Sequence, residues 1–279
     1  MREKKSFISY LATDDFLPGI LVLHESLKNH NPHIPFLVIT SDEVSSDTIK
    51  LLNYLSIPSK QVAPVNNPNP IINVNRNFRV TYTKLRIFEL TEFSKIVYLD
   101  ADMIVLGNIE NLFHAPHMSA VIAGGFLPKN HSWEDLNSGL LVIEPDQRLF
   151  NRMIMQIDKL SSIDGGDQGF LQSFFPEWPT EKHKHLDHKY NIPTQYVDSY
   201  CHLNNCSLAE RSDKILIIHY WAYYKPWKYK QPENNRYHYR EAICIWIKHY
   251  DMIIESLSKK NIIGGIYDYL NRIHEIIHQ

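Results

Sequence analysis

Short apolar runs alternate with amphipathic stretches through the first two-thirds of the chain. The apolar runs have the length of buried strands, and the stretches between them carry apolar residues at helical spacing. The pattern predicts strands at 7–11, 36–40, 95–99, 121–123, 139–143 and 215–218. It predicts helices at 18–29, 46–54, 83–90 and 146–160. This alternation is typical of an α/β fold.

The pattern changes to helices alone after Trp227, and a second helix is expected after Gly265. The first of these helices has an apolar stripe made of Ile243, Trp246, Ile247, Tyr250, Ile253, Ile254 and Leu257. We therefore expect residues 232–279 to form a helical extension that packs on a main domain of residues 1–231. The Asn- and Pro-rich stretch 66–77 predicts a loop.

Composition narrows the class of protein. The 279 residues are 44% hydrophobic, and the formal net charge is −2, so nothing draws the whole chain to nucleic acid or to an anionic membrane. No window reaches the ~20 apolar residues of a spanning helix, and the amino terminus lacks a long apolar stretch. Three cysteines, Cys201, Cys206 and Cys244, cannot all pair. We expect a cytoplasmic protein with no nucleic-acid or membrane partner.

The segment KIVYLDAD carries two acids at the end of an apolar strand. Residues two apart in extended chain face the same side, so Asp100 and Asp102 converge where open α/β sheets bind their ligands. Paired carboxylates suit Mn²⁺ or Mg²⁺. Acids at a strand end also serve simply to cap turns, and on its own this pattern favours that interpretation.

The segment IIHYWAYYKPW delivers His219 at the end of the late strand and Lys225 six residues later. An imidazole added to two carboxylates favours Mn²⁺ over Mg²⁺. An ammonium on a turn stiffened by Pro226 could neutralise a phosphate. The chain holds fifteen histidines, so a lone one would more often be structural, and a lysine would more often be solvated.

Two further segments offer polar groups at tight turns. In IDGGDQGF, glycines allow close backbone approach between Asp164 and a helix that holds Asp167 and Gln168. Asn137 and Ser138 precede a buried strand. Such side chains can hold sugar hydroxyls, although each segment alone also fits an ordinary helix start or turn.

Taken together, these segments resemble the family 8 retaining glycosyltransferases, in particular their self-glucosylating glycogenin branch. The resemblance runs from about Phe7 to Trp227. Its motifs are LATDDF, GILVLHESL, TYTKL, FSKIVYLDADMIVLGNIENLF, NSG, DGGDQGFL, HKYN and HYWAYYKPW. The C-terminal helices lie outside it.

The resemblance implies a GT-A fold, a Rossmann-like mixed sheet flanked by helices, which binds a UDP-sugar, most simply UDP-glucose. Mn²⁺, or Mg²⁺ in its place, would bind Asp100, Asp102 and His219. The donor site would comprise Leu11, Thr13, Asp14, Phe16, Arg76 (or Arg79), Lys84, Asp100, Ala101, Asp102, Asn137, Ser138, Asp164, Gln168, His219, Ala222 and Lys225. Leu11, Thr13, Asp14 and Phe16 would form the uridine pocket, in which Phe16 would cover the uracil ring.

The chemistry that the resemblance implies assigns catalytic roles to Asp164, Asp167, Gln168 and Lys225. The metal and the lysine would stabilise the departing UDP, and Asp167 or Gln168 would face the sugar cation. Retention by a front-face route and by double displacement both stay open. A glycan or a protein is the expected acceptor. Monomer and homodimer both stay open as the oligomeric state.

Two positions depart from the glycogenin pattern. Ala222 stands where a glycine is usual, and Asp198 stands where the acceptor tyrosine is usual, with Tyr196 and Tyr200 beside it. Self-glucosylation on a displaced tyrosine and transfer to an external acceptor therefore both stay open. The rival interpretations are transfer of galactose, a UDP-sugar-binding module without turnover, and a nucleotidyltransferase. A nucleotidyltransferase would carry a glycine-rich triphosphate loop near the first strand, and LATDDF has no glycine.

Overall fold

The computed structural model describes residues 4–68, 80–210, 213–221, 225–228, 237–259 and 265–278. Its strands form two sheets. The strands are β1 (Lys5–Leu11), β2 (Phe36–Thr40), β3 (Ser59–Gln61), β4 (Lys95–Leu99), β5 (Met103–Val105), β6 (Leu140–Ile143), β7 (Ile192–Pro193) and β8 (Ile217–His219).

The helices flank these sheets and fill the C-terminal part of the chain. The α-helices are α1 (Leu17–His30), α2 (Ser46–Tyr54), α3 (Gln147–Gln156), α4 (Asp167–Phe174), α5 (Val197–Asn204), α6 (Tyr237–Lys259) and α7 (Gly265–His278). The 3₁₀ segments are Asp14–Phe16, Thr81–Glu89, Glu110–His114, Pro128–Asn130, Trp178–Thr180, Lys182–Lys184, His188–Tyr190 and Thr194–Tyr196.

The larger sheet is mixed and has the strand order β3-β2-β1-β4-β6. Strand β1 pairs in parallel with both β2 and β4, and β6 runs antiparallel to β4. The chain therefore reverses its direction of winding between β1 and β4, which is where open α/β sheets form a ligand crevice. The smaller sheet has the order β5-β8-β7.

Alternate residues of the central strands supply two separate cores. In β4, Val97 and Leu99 join the core that contains α1, β5, β8 and α6, whereas Ile96 and Tyr98 join the core that contains the 3₁₀ segment Thr81–Glu89 and α3. Side chains two apart share a face of a strand, so both faces of the sheet are covered.

Local sequence explains where several helices begin. Pro18 lies in the first turn of α1, where a missing N–H costs nothing. The Ser45 side chain accepts a hydrogen bond from Thr48 N and caps α2, and Asp146 accepts from Arg148 N and Leu149 N at the start of α3. The predicted strands at 36–40 and 95–99 and the predicted helices at 18–29 and 46–54 are confirmed.

Other predicted elements differ from the structure. The prediction of a strand at 121–123 is wrong. Only an isolated bridge joins Ile122 to Leu136, and the chain then turns at Gly125, whose φ is +66°. The helix expected at 83–90 is a 3₁₀ segment, Thr81–Glu89, and the one expected at 146–160 ends at Gln156. The short strands β3, β5 and β7 lack a sequence signal of their own.

Two long helices form the described C-terminal part of the chain. Helix α6 packs on α1 and α5, and α7 packs on α6 and α2. Trp246 of α6 stacks on Trp227, with ring centroids 5.4 Å apart. None of the helices in the described ranges combines the length and the apolar run that a membrane crossing requires. The division at residue 231 stays a prediction.

Candidate active site

Two carboxylates lie at the carboxyl end of β4, beside the switch in winding. Asp100 follows the strand directly and its N–H donates to Gly139 O over 2.8 Å. Asp102 precedes β5, and its carbonyl accepts from Tyr220 N over 2.8 Å. The turn between β4 and β5 thus holds both side chains in the crevice, and Ala101 between them is buried.

The pairing of β5 with β8 brings His219 to these carboxylates. The antiparallel register sets Met103 opposite His219. The imidazole Nε2 lies 3.1 Å from Asp102 Oδ1 and 3.9 Å from Asp100 Oδ2. His219 is therefore part of a strand rather than the residue after it, and a partner 117 positions away in sequence is its neighbour in space.

A chain of hydrogen bonds orients the His219 ring. The N–H of Gly139 donates to Asn137 Oδ1 over 2.9 Å, and Asn191 Nδ2 donates to the same oxygen over 2.8 Å. Asn191 Oδ1 is therefore left to accept from His219 Nδ1, at 2.9 Å. A backbone N–H can only donate, so the direction of the whole chain follows from Gly139.

This orientation bears on whether a cation fits. With the proton on Nδ1, the Nε2 atom facing the carboxylates needs either a second proton or a cation between itself and the acids. Asp100, Asp102 and His219 offer two carboxylate oxygens and one imidazole nitrogen within 4.8 Å of one another. This donor set fits a divalent metal ion, and Mn²⁺ accepts such a mixture of oxygen and nitrogen.

Lysines supply positive charge to this cluster in the structure. Lys225 Nζ contacts Asp102 Oδ2 and donates to Tyr220 O over 2.8 Å. Burial alone would raise the pKa of Asp102, but Lys225 and His219 outweigh burial and hold that pKa well below its ordinary value. Asp102 is therefore ionised.

A second lysine links the strand end to α4. Lys84 Nζ lies 3.1 Å from Asp100 Oδ1 and 2.9 Å from Asp167 Oδ2. Burial alone would lower the pKa of Lys84, but these two carboxylates outweigh it and raise that pKa above its ordinary value. Ser138 Oγ also donates to Asp167 over 2.9 Å, and Ser138 N donates to Gln168 Oε1 over 3.1 Å. Lys84, Ser138, Asp167 and Gln168 thus form one network.

Asp164 has a different environment. Its Oδ1 accepts from Gly166 N, Gly169 N and Ser162 Oγ at 2.9, 3.0 and 2.8 Å. One oxygen therefore holds the turn into α4 together, and the residue itself is exposed. Its catalytic assignment stays a prediction.

The residues expected at the uridine lie at the end of β1 and directly after it, next to the Lys225 turn. Phe16 meets Trp227 edge to face, with ring centroids 6.1 Å apart, and Asp14 Oδ1 accepts from Ser45 N over 3.1 Å. Thr13 is half-buried and Leu11 is buried. Trp227 Nε1 donates to Asp15 O over 2.8 Å, which ties the first motif to the last.

Two of the predicted donor-site residues, Arg76 and Ala222, lie outside the described residues, as does the alternative Arg79. Two residues of the site were not predicted from the sequence. Tyr98 donates its phenolic proton to Asp100 Oδ1 over 2.7 Å, and Asn191 orients His219. Asn191 stands in the HKYN motif, which was the one available signal, whereas Tyr98 looked like an ordinary strand residue.

The three positions considered for a self-acceptor differ in accessibility. Tyr200 is buried, and its hydroxyl donates to Lys214 O over 2.8 Å. Asp198 Oδ1 accepts from His238 N, in the first turn of α6, over 3.0 Å. Tyr196 is half-buried and lies under Lys129 Nζ, 5.6 Å from its ring centroid.

Comparison with known proteins gives both a family and a fold. The family model described as glycosyl transferase family 8 matches residues 7–231. Inositol phosphorylceramide glucuronosyltransferase 1 from Arabidopsis thaliana is 38% identical over 179 residues, which are 64% of this chain and 32% of that protein. Human glycogenin-1 is 28% identical over 290 residues, covering 98% of this chain and 80% of glycogenin-1.

Solved structures confirm the expected GT-A fold. The galactosyltransferase LgtC, in complex with donor and acceptor sugar analogues, superposes with a TM-score of 0.59 at 16% identity. The alignment covers 86% of this chain and 94% of LgtC. GlyE from Streptococcus pneumoniae TIGR4 superposes with a TM-score of 0.59 at 18% identity, and the alignment covers 92% of this chain and 64% of GlyE. With the family model matched over residues 7–231, the chain belongs to glycosyl transferase family 8 and is a sugar-transferring enzyme.

Proposed function

We propose that the protein transfers a hexose, most simply glucose, from a UDP-sugar to an external acceptor, with retention of anomeric configuration and with Mn²⁺ at the site. The observation that carries the proposal is the convergence of Asp100, Asp102 and His219 at the switch in winding, with His219 Nε2 turned toward both acids. Mg²⁺ is the second candidate ion, because both acids are hard oxygen ligands.

Asp100, Asp102 and His219 would hold the ion, which when bound would neutralise the charge that develops on the UDP leaving group. Lys225 Nζ contacts Asp102 Oδ2, while His219 approaches the other oxygen, Oδ1. An ammonium confined there, with only 12% of its side chain exposed, would stabilise a phosphate oxygen more strongly than a solvated lysine would.

The network around Lys84 would face the sugar. Asp167 and Gln168 begin α4 and are fixed through Ser138, so a carboxylate and an amide stand beside the metal group without having to reorganise. Such preorganised groups stabilise a developing oxocarbenium ion.

Two donor sugars have support. The resemblance of the motifs to the glycogenin branch favours glucose, while the Arabidopsis thaliana relative is named a glucuronosyltransferase and supports glucuronate. A panel of UDP-glucose, UDP-galactose and UDP-glucuronate, assayed for UDP release with Mn²⁺ and with EDTA, tests the proposal. We expect the highest rate with UDP-glucose and no release in EDTA. Binding of UDP with no turnover of any donor would replace the proposal with a binding module.

The structure around residue 198 supports an external acceptor. Asp198 cannot serve as a tyrosyl acceptor, and its carboxylate instead accepts from the first turn of α6. Tyr200 is buried with its hydroxyl engaged. Tyr196 is the remaining candidate for self-modification in this segment.

Intact-mass measurement after incubation with Mn²⁺ and UDP-glucose separates the two acceptor types. We expect no hexose on the protein and UDP release that rises when a glycan or protein acceptor is added. Tyr200→Phe serves as the matched control for Tyr196→Phe, because both remove one hydroxyl from the same segment. A mass gain that disappears only in Tyr196→Phe would show self-modification instead.

A further inference from the structure

A second group of ligand-type side chains lies on the C-terminal helices, outside the glycosyltransferase site. Asp251 belongs to α6, while His274 and His278 stand four residues apart on α7. Both imidazole Nε2 atoms approach the same carboxylate oxygen, Asp251 Oδ1, at 3.1 Å from His274 and 2.8 Å from His278. The two rings lie 4.7 Å apart at an angle of 61°.

The spacing of the two histidines is that of a helical chelate. Residues four apart project from the same face of a helix, so both rings can approach one ion without a change of backbone. One ligand atom from each of the three residues lies within 4.8 Å of the other two. Ligands about 2.0–2.1 Å from a tetrahedral ion lie roughly 3.3 Å apart. The observed distances to Asp251 need to lengthen only by a few tenths of an ångström.

The cluster also leaves room for the rest of a coordination sphere. The side chains of Asp251, His274 and His278 are 36%, 35% and 47% exposed. An ion can therefore enter from solvent, and water can complete its coordination. No lysine or arginine forms an ion pair with Asp251 among the described residues, so no fixed cation competes for the carboxylate.

We propose that Asp251, His274 and His278 form a site for a borderline divalent metal ion of the Zn²⁺ class, which clamps α7 onto α6. Two imidazoles and one carboxylate favour Zn²⁺, Ni²⁺ or Cu²⁺ over the harder Mn²⁺ and Mg²⁺. The ligand set therefore differs in selectivity from Asp100, Asp102 and His219. The proposal does not rest on the transfer reaction.

A metal clamp at this position would stabilise the last helix. Helix α7 is held by the buried side chains of Leu270, Ile273 and Ile277 and by the Tyr250 hydroxyl, which donates to Leu270 O over 3.0 Å. These contacts lie on the buried side of α7, whereas the two histidines lie at its edge facing Asp251. An ion that binds this pair of helices only when they are docked favours the docked state by mass action.

Zn²⁺ and Co²⁺ titrations of the full chain test the proposal. We expect wild type to bind one equivalent of Zn²⁺ more than His274→Ala does, and we expect the visible spectrum of Co²⁺ bound to nitrogen and oxygen to weaken in that variant. Zn²⁺ at about one hundred times its Kd should raise the Tm of wild type by roughly 5 °C more than that of His274→Ala. Asp251→Asn should weaken binding at this site at least about tenfold.

His249→Ala is the matched control, because it removes an imidazole from α6 whose Nδ1 contacts Ile245 O and which is not part of the cluster. It should keep the full number of equivalents and the full Tm shift. Circular dichroism without metal verifies that each variant is folded. Equal stoichiometry and equal Tm shifts for wild type, His274→Ala and Asp251→Asn would overturn the proposal and leave only hydrogen bonds between the three side chains.

Discussion

The molecule contains two acid–histidine clusters that differ in their surroundings. Asp100, Asp102 and His219 lie at strand ends, and the acids are neighboured by the lysines Lys84 and Lys225. The cluster of Asp251, His274 and His278 joins two surface helices and is about a third to a half exposed. Similar ligand types thus occur in a buried, charge-compensated setting and in a solvated one.

The difference shows what burial demands of a charged site. A carboxylate removed from water is costly unless charge and hydrogen bonds replace the solvent, and Tyr98, Lys84 and Lys225 supply these to Asp100 and Asp102. Asp251 keeps 36% of its side chain in contact with solvent, so its carboxylate depends less on such partners. Substitutions in the buried cluster should therefore affect turnover strongly, whereas substitutions in the exposed cluster should matter only for the ions it binds.

The largest effect is expected from Asp102→Asn. The amide keeps the shape but removes the negative charge that faces His219 and Lys225, and UDP release should fall at least about a thousandfold because charge stabilisation of the leaving group is lost. Circular dichroism should remain that of the folded protein. Asp47→Asn, at an exposed ion pair with Lys50, is the control. Wild-type rates in Asp102→Asn would remove the metal assignment.

Lys225→Ala should rank second. Loss of an ammonium that stabilises the departing UDP should lower kcat by the equivalent of about 2–4 kcal/mol, with a smaller change in KM. Steady-state kinetics with the preferred UDP-sugar measure this. Lys60→Ala, at the exposed ion pair with Glu92, should leave kcat within experimental error. An unchanged kcat in Lys225→Ala would contradict the role.

Gly139→Ala should give an intermediate effect on the buried cluster. A Cβ at residue 139 would lie 2.6 Å from His219 Cε1 and 3.0 Å from its Nδ1, so the ring must shift, which disturbs the hydrogen bond between Nδ1 and Asn191. We expect a loss of about 1–3 kcal/mol in the free energy of unfolding and weaker Mn²⁺ binding. Denaturant unfolding and Mn²⁺ titration test both.

Gly265→Ala is the matched glycine control, because a Cβ there meets nothing within 4 Å. It lies at the start of α7, the helix that carries two ligands of the exposed cluster. Its free energy of unfolding should stay the same or rise slightly. Equal losses in the two alanine variants would mean that the packing around His219 is not the cause.

The smallest effect is expected from Asp251→Asn in EDTA. Exposed ion pairs contribute little, because water screens them, so the free energy of unfolding should change by less than about 0.5 kcal/mol. Urea unfolding without metal measures this change. A loss well above that amount would show that the exposed cluster is a structural part of the core, and the contrast between the two clusters would fail.

Sequence alone determined the fold class, the family and the central elements. Residues 36–40 and 95–99 read as strands because their apolar character is local and continuous, and the observed strands have the same bounds. Asp100 and Asp102 stand in the motif KIVYLDAD, and His219 stands in the motif IIHYWAYYKPW. Information of this kind is carried by neighbouring residues, so it can be read without a fold.

Tertiary structure alone decided how distant residues meet. Asn191 reaches His219 through the parallel pairing of β7 with β8, and Asp198 holds the start of α6 from another helix. Asp251 meets His274 and His278 only because α7 folds back on α6. Each of these contacts needs a chain reversal whose geometry depends on packing across the whole molecule, and no local pattern of residues encodes it.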